Sequence, residues 1–216
     1  MNILLLVFHK LFKLKLMNLN MLLINKKYAN PELLAKKFSG NKPFPYIVLD
    51  KFFDEKFLDK LRNALKKEHY ELKEADLFTF MQSNDLNRTK NIVIKTFVKF
   101  LKGKEFTNYI EKLSESKLKI GKISIHATAY TNTHYLLCHD DEVDDRVVAL
   151  MIYLSDLENK DGGKLRLFEK NNALVEIIPK FNRFVIFKIS KKSLHDVEEI
   201  YTDAIRLTLG WWYYDK

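Results

Sequence analysis

The chain contains, near its C-terminal end, the stretch Ile205-Arg206-Leu207-Thr208-Leu209-Gly210-Trp211. Successive side chains of a β-strand point to opposite faces, so the apolar residues share one face and Arg206, Thr208 and Gly210 share the other. An arginine inside a barrel is costly unless it meets an anion, and a guanidinium beside a hydroxyl can hold a carboxylate. The stretch therefore predicts a strand with an anion-binding inner face. An internal salt bridge and a solvated polar face are the alternatives.

The segments before this stretch show the same short alternation. We expect strands at 123–130, 147–154, 164–168, 174–178, 183–187, 194–197 and 205–213. Gly162-Gly163, Asn171-Asn172 and Pro179 separate several of them. Strands at this spacing are typical of an antiparallel sandwich or barrel.

The first half of the chain has helical periodicity instead. Asn30 followed by Pro31 predicts a helix start, and Asp54 can cap a second helix whose apolar residues fall on one stripe. Two more helices are expected at about 91–101 and 105–115, and strands at 46–49 and 77–81. The predicted fold class is therefore α+β, with helices first and a β-barrel after them.

The N-terminal segment is basic and apolar. Residues 1–31 hold five lysines and no acid, and His9 and Lys10 interrupt the first apolar run. A membrane-spanning helix needs about 20 apolar residues, so we expect no span. We favour Met17 or Met21 as the natural start, with an over-extended reading frame before it; a basic targeting helix is the alternative. We expect residues 1–41 to form this segment and a short helix, and residues 42–216 to form one domain.

Composition suggests a compartment and a kind of partner. Cys138 is the only cysteine, which excludes an intramolecular disulfide and favours a reducing compartment, the cytoplasm, or the nucleus in a eukaryote. The formal net charge of +9 suggests an acidic partner such as RNA, a ribosome or an anionic surface. Lysine-rich chains are common, so nucleic-acid contact is a secondary prediction.

The triplet His139-Asp140-Asp141 carries the metal hypothesis. Residues two apart in an extended segment share a face, so His139 and Asp141 can chelate one ion while Asp140 points away. With His195 they make two histidines and one carboxylate, the set that mononuclear non-haem Fe(II) takes. The alternatives are a solvated acidic loop around Asp141 and an ordinary core histidine at 195.

These residues together resemble a known family. His139-X-Asp141, His195, Arg206 eleven positions later and Trp211 are similar to the prolyl-hydroxylase branch of the Fe(II)/2-oxoglutarate oxygenases. A narrower resemblance, to the catalytic domain of Ofd/Tpa-type ribosomal-protein prolyl 3-hydroxylases, runs from about Lys42 to the C-terminus. Its segments are 43–45, 77–85, 136–141, 162–168, 181–183 and 195–199. Eukaryotic members carry a second, non-catalytic β-helix domain, so we expect a single-domain version here.

The resemblance implies a double-stranded β-helix, or jelly roll, in which His139, Asp141 and His195 hold Fe(II). Arg206 would bind the distal carboxylate of 2-oxoglutarate, Thr208 would share it, and Tyr130 would contact the co-substrate. The implied reaction consumes 2-oxoglutarate and O2, gives succinate and CO2, and is supported by ascorbate.

The implied substrate is a prolyl residue of a protein, a ribosomal protein in the narrower reading. Because the iron and 2-oxoglutarate residues do not encode the substrate, two alternatives stay open. One is an oxygenase of the same fold that acts on a small molecule or another side chain. The other is a non-catalytic basic β-barrel that binds RNA or a protein partner.

Overall fold

The computed structural model describes residues 23–216. The predictions about the natural start and a targeting helix concern residues 1–22 and lie outside the described part. Ile24 and Tyr28 are buried in the main core, and Ile24 forms a β-bridge with Phe53. The part of the N-terminal segment that begins at residue 23 therefore packs against the rest of the fold.

Four α-helices lie in the described residues, and all four were predicted. They are α1 (Glu32–Gly40), α2 (Glu55–Leu65), α3 (Ile92–Lys102) and α4 (Lys104–Ser114). The Asp54 carboxylate accepts a hydrogen bond of 2.8 Å from the Phe57 amide and caps α2, and Asn91 caps α3 in the same way. In residues 23–216 no helix has both the length and the apolar character that crossing a membrane requires.

Eleven strands follow or interleave with these helices in the described residues. They are β1 (Tyr46–Asp50), β2 (Tyr70–Ala75), β3 (Phe78–Ser83), β4 (Leu118–Tyr130), β5 (Tyr135–His139), β6 (Arg146–Tyr153), β7 (Leu165–Glu169), β8 (Asn172–Ile177), β9 (Arg183–Lys188), β10 (His195–Val197) and β11 (Arg206–Asp215). Strands β2 and β5 were not predicted. The first is a charged, mostly exposed edge strand, and both faces of the second are partly open, so neither shows the alternation of a half-buried strand.

The strands form one curled antiparallel sheet. Its order is β1-β9-β6-β11-β4-β3-β5-β10-β7-β8, and β2 pairs with β3. Because β3 pairs with both β4 and β5, it joins a larger layer around β11 to a smaller layer around β10. The predicted α+β fold with a jelly-roll barrel is confirmed.

Strand β11 separates the core from the barrel interior. Leu207, Leu209 and Trp211 belong to the main core beneath the helices, where Trp211 stacks on Phe184 with ring centroids 5.5 Å apart. The opposite face carries Arg206, Thr208 and Gly210 into the interior cavity. The predicted alternation is therefore confirmed for this strand.

Candidate metal centre and co-substrate site

A cavity of about 330 Å³ lies between the two layers of the barrel. Its lining includes all six residues predicted from the sequence, which are Tyr130, His139, Asp141, His195, Arg206 and Thr208. The fold therefore brings residues from β4, β5, β10 and β11 to one place.

The two histidines face each other across paired strands. His139 ends β5, His195 begins β10, and they are direct partners in the antiparallel register, with ring centroids 4.2 Å apart. His139 Nδ1 lies 2.9 Å from the Leu137 carbonyl oxygen, and His195 Nδ1 lies 2.8 Å from that of Ser193. An Nδ1–H that donates to a carbonyl leaves the Nε2 lone pair available to a metal ion.

Asp141 reaches the histidines by a route that the sequence did not predict. It does not continue an extended strand with His139, because β5 ends at His139 and Asp141 has a left-handed φ of 63°. This turn brings Oδ1 within 3.5 Å of His139 Nε2 and Oδ2 within 3.6 Å of His195 Nε2. The pairing of His139 and Asp141 was right, and strand alternation was the wrong reason for it. Asp140 points away as predicted, and its carboxylate accepts from the Glu142 amide.

Burial and the close approach of the three groups shift their pKa values in different directions. Burial alone would raise the pKa of Asp141, but the neighbouring His139 and His195 imidazoles hold it well below its usual range, so its carboxylate is ionised and can bind a metal ion. Burial lowers the pKa of His195 to about 4, so its imidazole is neutral near pH 7. For His139, burial lowers the pKa and the Asp141 carboxylate more than offsets this, so the pKa is raised and a proton competes with a metal ion for this imidazole.

Trp212 supports the Asp141 carboxylate from the other layer. Its Nε1–H donates to Asp141 Oδ2 over 2.9 Å, and the Arg146 guanidinium lies over its ring, 4.5 Å from the centroid. Sequence reasoning missed Trp212, although the alternation of β11 extended by one more residue would have placed it on the cavity face.

The donor set fits Fe(II). Its possible ligand atoms, from His139, Asp141 and His195, all lie within 4.8 Å of one another. Two imidazoles and one carboxylate on a single side are the facial set of non-haem iron oxygenases, which leaves other coordination positions open. The backbone carbonyls and the Trp212 indole supply the outer contacts that orient such ligands.

Arg206 lies in the same cavity and is 2% exposed. Its Nε donates to the Gly163 carbonyl over 2.8 Å and its Nη1 to Thr208 Oγ1 over 3.1 Å, while the Tyr153 hydroxyl lies 3.5 Å from Nη2. Within residues 23–216 no carboxylate lies within 4.0 Å of this guanidinium. The internal salt bridge considered above is therefore wrong, and the buried charge can accept an anionic ligand.

Two tyrosine rings enclose the guanidinium. The Arg206 Cζ lies 5.0 Å from the ring centroids of both Tyr130 and Tyr153. Burial raises the pKa of each phenol, so both hydroxyls stay protonated. The Tyr130 hydroxyl has no hydrogen-bond partner among the described residues and can donate to a ligand.

Gly162 and Gly163 are required where they stand. Both have left-handed φ values, and a Cβ on Gly162 would lie 2.0 Å from the Glu199 carbonyl oxygen. A Cβ on Gly163 would lie 2.3 Å from Ile200 Cδ1. The close approach places the Gly163 carbonyl where Arg206 donates to it.

Fold and site define a class: jelly-roll proteins with a two-histidine, one-carboxylate metal centre beside a buried arginine. Residues 125–214 match the family described as the 2OG-Fe(II) oxygenase superfamily. This part of the chain is therefore similar to 2OG-Fe(II) oxygenases. The family is named for the metal and co-substrate that the sequence predicted.

Curated relatives have matching names. The chain is 30% identical over 181 residues to prolyl 3-hydroxylase OGFOD1 of Xenopus laevis, covering 80% of this chain and 35% of that protein. It is 30% identical over 230 residues to prolyl 3-hydroxylase sudestada1 of Drosophila melanogaster, covering 90% of this chain and 42% of the relative. The chain thus spans well under half the length of these two relatives.

Solved structures share the fold. A Pseudomonas putida prolyl-4-hydroxylase superposes with a TM-score of 0.72 at 16% identity, covering 86% of this chain and 99% of the other. A Trichoplax adhaerens prolyl hydroxylase was solved with a peptide of the hypoxia inducible factor oxygen degradation domain. It superposes with a TM-score of 0.69 at 16% identity, covering 88% of this chain and 91% of the other.

Proposed function

We propose that the protein is an Fe(II)- and 2-oxoglutarate-dependent dioxygenase that hydroxylates a prolyl residue of a protein substrate. The observation that carries the proposal is the buried Arg206 guanidinium, which has no carboxylate partner in the described residues and shares a cavity with the His139, Asp141 and His195 cluster. One cavity thus offers a charge for an acid and a donor set for iron. Succinate and CO2 are the expected co-products.

In this proposal His139, Asp141 and His195 hold Fe(II). Arg206 binds the distal carboxylate of 2-oxoglutarate, while the Thr208 hydroxyl and the Tyr130 phenol complete its hydrogen bonds. Bound Fe(II) supplies the redox chemistry by which O2 oxidises 2-oxoglutarate and inserts one oxygen atom into a C–H bond. Ascorbate is expected to support the reaction by keeping the iron reduced.

The remaining cavity wall suits a prolyl ring. Besides the groups above, it is lined by the apolar side chains of Phe78, Phe80, Leu136, Met151, Leu165 and Val197 and by the polar side chains of Gln82, Ser124, His126, Thr128 and Arg146. The apolar part of this wall can accept a ring that carries no hydrogen-bond donor. The relatives named prolyl 3-hydroxylase support a prolyl substrate and position 3.

The finer proposal is a ribosomal protein as substrate. It rests on the motif resemblance to ribosomal-protein prolyl 3-hydroxylases and on the basic charge of the chain. A location in the cytoplasm, or in the nucleus of a eukaryote, and residues 42–216 as the catalytic unit belong to the same proposal.

The test combines co-product and substrate measurements. Protein loaded with Fe(II) is incubated with 2-oxoglutarate, ascorbate and ribosomal proteins, and succinate release is measured beside mass spectrometry of prolyl peptides. We expect succinate, one added oxygen atom on a proline, and loss of both in His139→Ala. Succinate without prolyl oxidation across candidate proteins would favour the small-molecule alternative, and no turnover by fully loaded protein would favour the non-catalytic barrel.

A further inference from the structure

The positive charge of the chain is concentrated in two segments. Residues 86–104 and 116–139 contain nine lysines and arginines and no aspartate or glutamate. These nine equal the formal net charge of the whole chain, +9. They are Arg88, Lys90, Lys95, Lys99, Lys102, Lys104, Lys117, Lys119 and Lys122, and we call them the basic face.

The elements that carry the basic face contact one another. Helix α3 packs against the 3-10 turn Leu86–Arg88 and against β4, and the turn also contacts β4. Asn87 links them, because its side-chain amide donates to the Ile123 carbonyl over 3.0 Å and its oxygen accepts from Lys102 Nζ over 3.2 Å. Eight of the nine side chains are exposed and Lys102 is half-buried.

The basic face is not neutralised by the described part of the protein. None of its nine groups lies within 4.0 Å of a carboxylate there, whereas Lys73, Lys112, Lys160, Lys164, Arg166 and Arg183 each do. Lys95 and Lys99 stand one helical turn apart on α3, where like charges repel. An anionic partner with repeated charges would relieve this repulsion.

We propose that the basic face binds RNA through its phosphate backbone. Eight of the nine groups are lysines. A lysine ammonium binds a phosphate as a point charge, and such contacts do not distinguish one base sequence from another. No aromatic side chain of the two segments is exposed, so the face has no platform for base stacking. A membrane fits less well. Helix α3 buries Ile94, Phe97, Val98 and Leu101 in the core, and the large apolar residues exposed in the two segments, Ile92, Ile120 and Leu137, lie on three separate elements and form no helical stripe.

The basic face borders both sides of β4. Lys122 is exposed and shares a strand face with Ser124, which lines the cavity, whereas α3 packs against the core side of that strand, where Ile123 and Ile125 lie. Only RNA that reaches Lys122 would therefore pass close to the site. The choice of RNA rather than DNA rests on the proposed function, since a ribosomal protein is found in complex with ribosomal RNA.

The test is fluorescence anisotropy of the full chain with a labelled single-stranded RNA of about 20 nucleotides, titrated at several salt concentrations. The variant Lys95→Gln/Lys99→Gln/Lys119→Gln removes three charges of the face. The slope of log K against log salt concentration should become less steep by about 2, and the affinity of the variant at 0.15 M salt should fall by roughly fifty-fold. The matched control Lys36→Gln/Lys37→Gln/Lys170→Gln removes three exposed lysines elsewhere and should bind nearly as wild type does.

Several outcomes would overturn the proposal. Equal loss of affinity in the control variant would mean that only net charge matters, and unchanged binding in the first variant would place the RNA elsewhere. Equally tight binding of polyglutamate or phosphatidylserine vesicles, or tighter binding of the DNA of the same sequence, would exclude RNA as the partner. Turnover of a short prolyl peptide should be unchanged in the first variant. Absent turnover in the wild type would contradict the proposed function and leave the RNA measurement standing.

Discussion

The Trp212 indole donates a hydrogen bond of 2.9 Å to Asp141 Oδ2, and this bond joins the two layers of the barrel at the candidate metal centre. Asp141 follows β5 in the smaller layer and has a left-handed backbone, whereas Trp212 belongs to β11 in the larger layer. The carboxylate therefore does not depend on its own turn alone for its position. An outer contact of this kind orients a metal ligand and limits its rotation.

Replacing Trp212 by phenylalanine should weaken metal binding. The smaller side chain keeps a ring beneath Arg146 and loses the hydrogen bond to Asp141, so the fold should persist while the carboxylate rotates more freely. The affinity of the metal-free protein for Mn²⁺, measured by calorimetry, should fall by about 10- to 100-fold. Tyr214→Phe, on the same strand and outside the cavity lining, is the control and should bind Mn²⁺ normally. Normal Mn²⁺ affinity in Trp212→Phe would show that the indole does not position Asp141.

Arg206 should control the 2-oxoglutarate requirement and leave metal binding alone. Arg206→Met keeps much of the side-chain length and removes the charge, and hydrogen bonds to charged groups contribute about 1.5–3 kcal/mol. The 2-oxoglutarate concentration needed for half-maximal succinate release should therefore rise by about 10- to 150-fold. Arg206→Lys should need a 2-oxoglutarate concentration between those of the wild type and Arg206→Met, because lysine keeps the charge and loses the planar guanidinium fork.

Arg183→Lys is the control for the Arg206 variants. Arg183 is also a strand arginine, but it pairs with Asp50 and does not line the cavity. Its replacement should leave the 2-oxoglutarate requirement unchanged. If Arg206→Met lost Mn²⁺ affinity as well, Arg206 would support the fold of the site and would not be a co-substrate ligand.

The site could be predicted where it depends on strand alternation. Arg206 and Thr208 follow from β11 alone, because the residues that alternate with them are all apolar. Tyr153 was not predicted. It is one of several apolar and aromatic residues in β6, and its contact with Arg206 depends on β11 being the neighbouring strand. Asp141 itself was predicted from its spacing to His139. The left-handed turn that aims its carboxylate was not, because an aspartate-rich loop carries no sequence signal for such a turn.

The Asp50 and Arg183 pair should give a pH-dependent contribution to stability. These residues are register partners on β1 and β9, and the hydrogen bonds from Arg183 lower the pKa of Asp50. A carboxyl whose folded pKa is lowered stabilises the fold above its unfolded pKa of about 3.9 and loses that contribution as pH falls through the folded value. Asp50→Asn should therefore lower the free energy of unfolding at pH 7, by up to about 1 kcal/mol because the carboxylate is more than half exposed.

Urea unfolding of Asp50→Asn and wild type across pH checks this. The difference between them should shrink as pH is lowered from about 5 to about 3. Asp76→Asn is the control, because Asp76 is exposed and forms no ion pair within residues 23–216. A constant difference across that pH range would mean that the asparagine acts through packing and not through the lost charge.

Two glycines of the site should respond to alanine in opposite ways. A Cβ on Gly210 meets nothing nearer than the Leu150 carbonyl oxygen at 3.9 Å, whereas one on Gly163 would lie 2.3 Å from Ile200 Cδ1 at a φ of +70°. The free energy of unfolding of Gly210→Ala should equal that of the wild type or exceed it by up to about 1 kcal/mol, since alanine loses less backbone freedom on folding than glycine does. Gly163→Ala should lose about 1–3 kcal/mol through strain and should also raise the 2-oxoglutarate requirement, because its carbonyl holds Arg206 Nε.

Activity separates the two positions further. Gly210 lies on the cavity face of β11, opposite His126 of β4 in the register, so an added methyl group narrows the cavity that holds the metal ligands. Gly210→Ala should therefore bind Mn²⁺ normally, fold normally and turn over prolyl substrate poorly. Urea unfolding, calorimetry and succinate release measure the three quantities. Full prolyl turnover in Gly210→Ala would place the substrate away from this wall, and wild-type stability in Gly163→Ala would mean that Ile200 can move aside without disturbing Arg206.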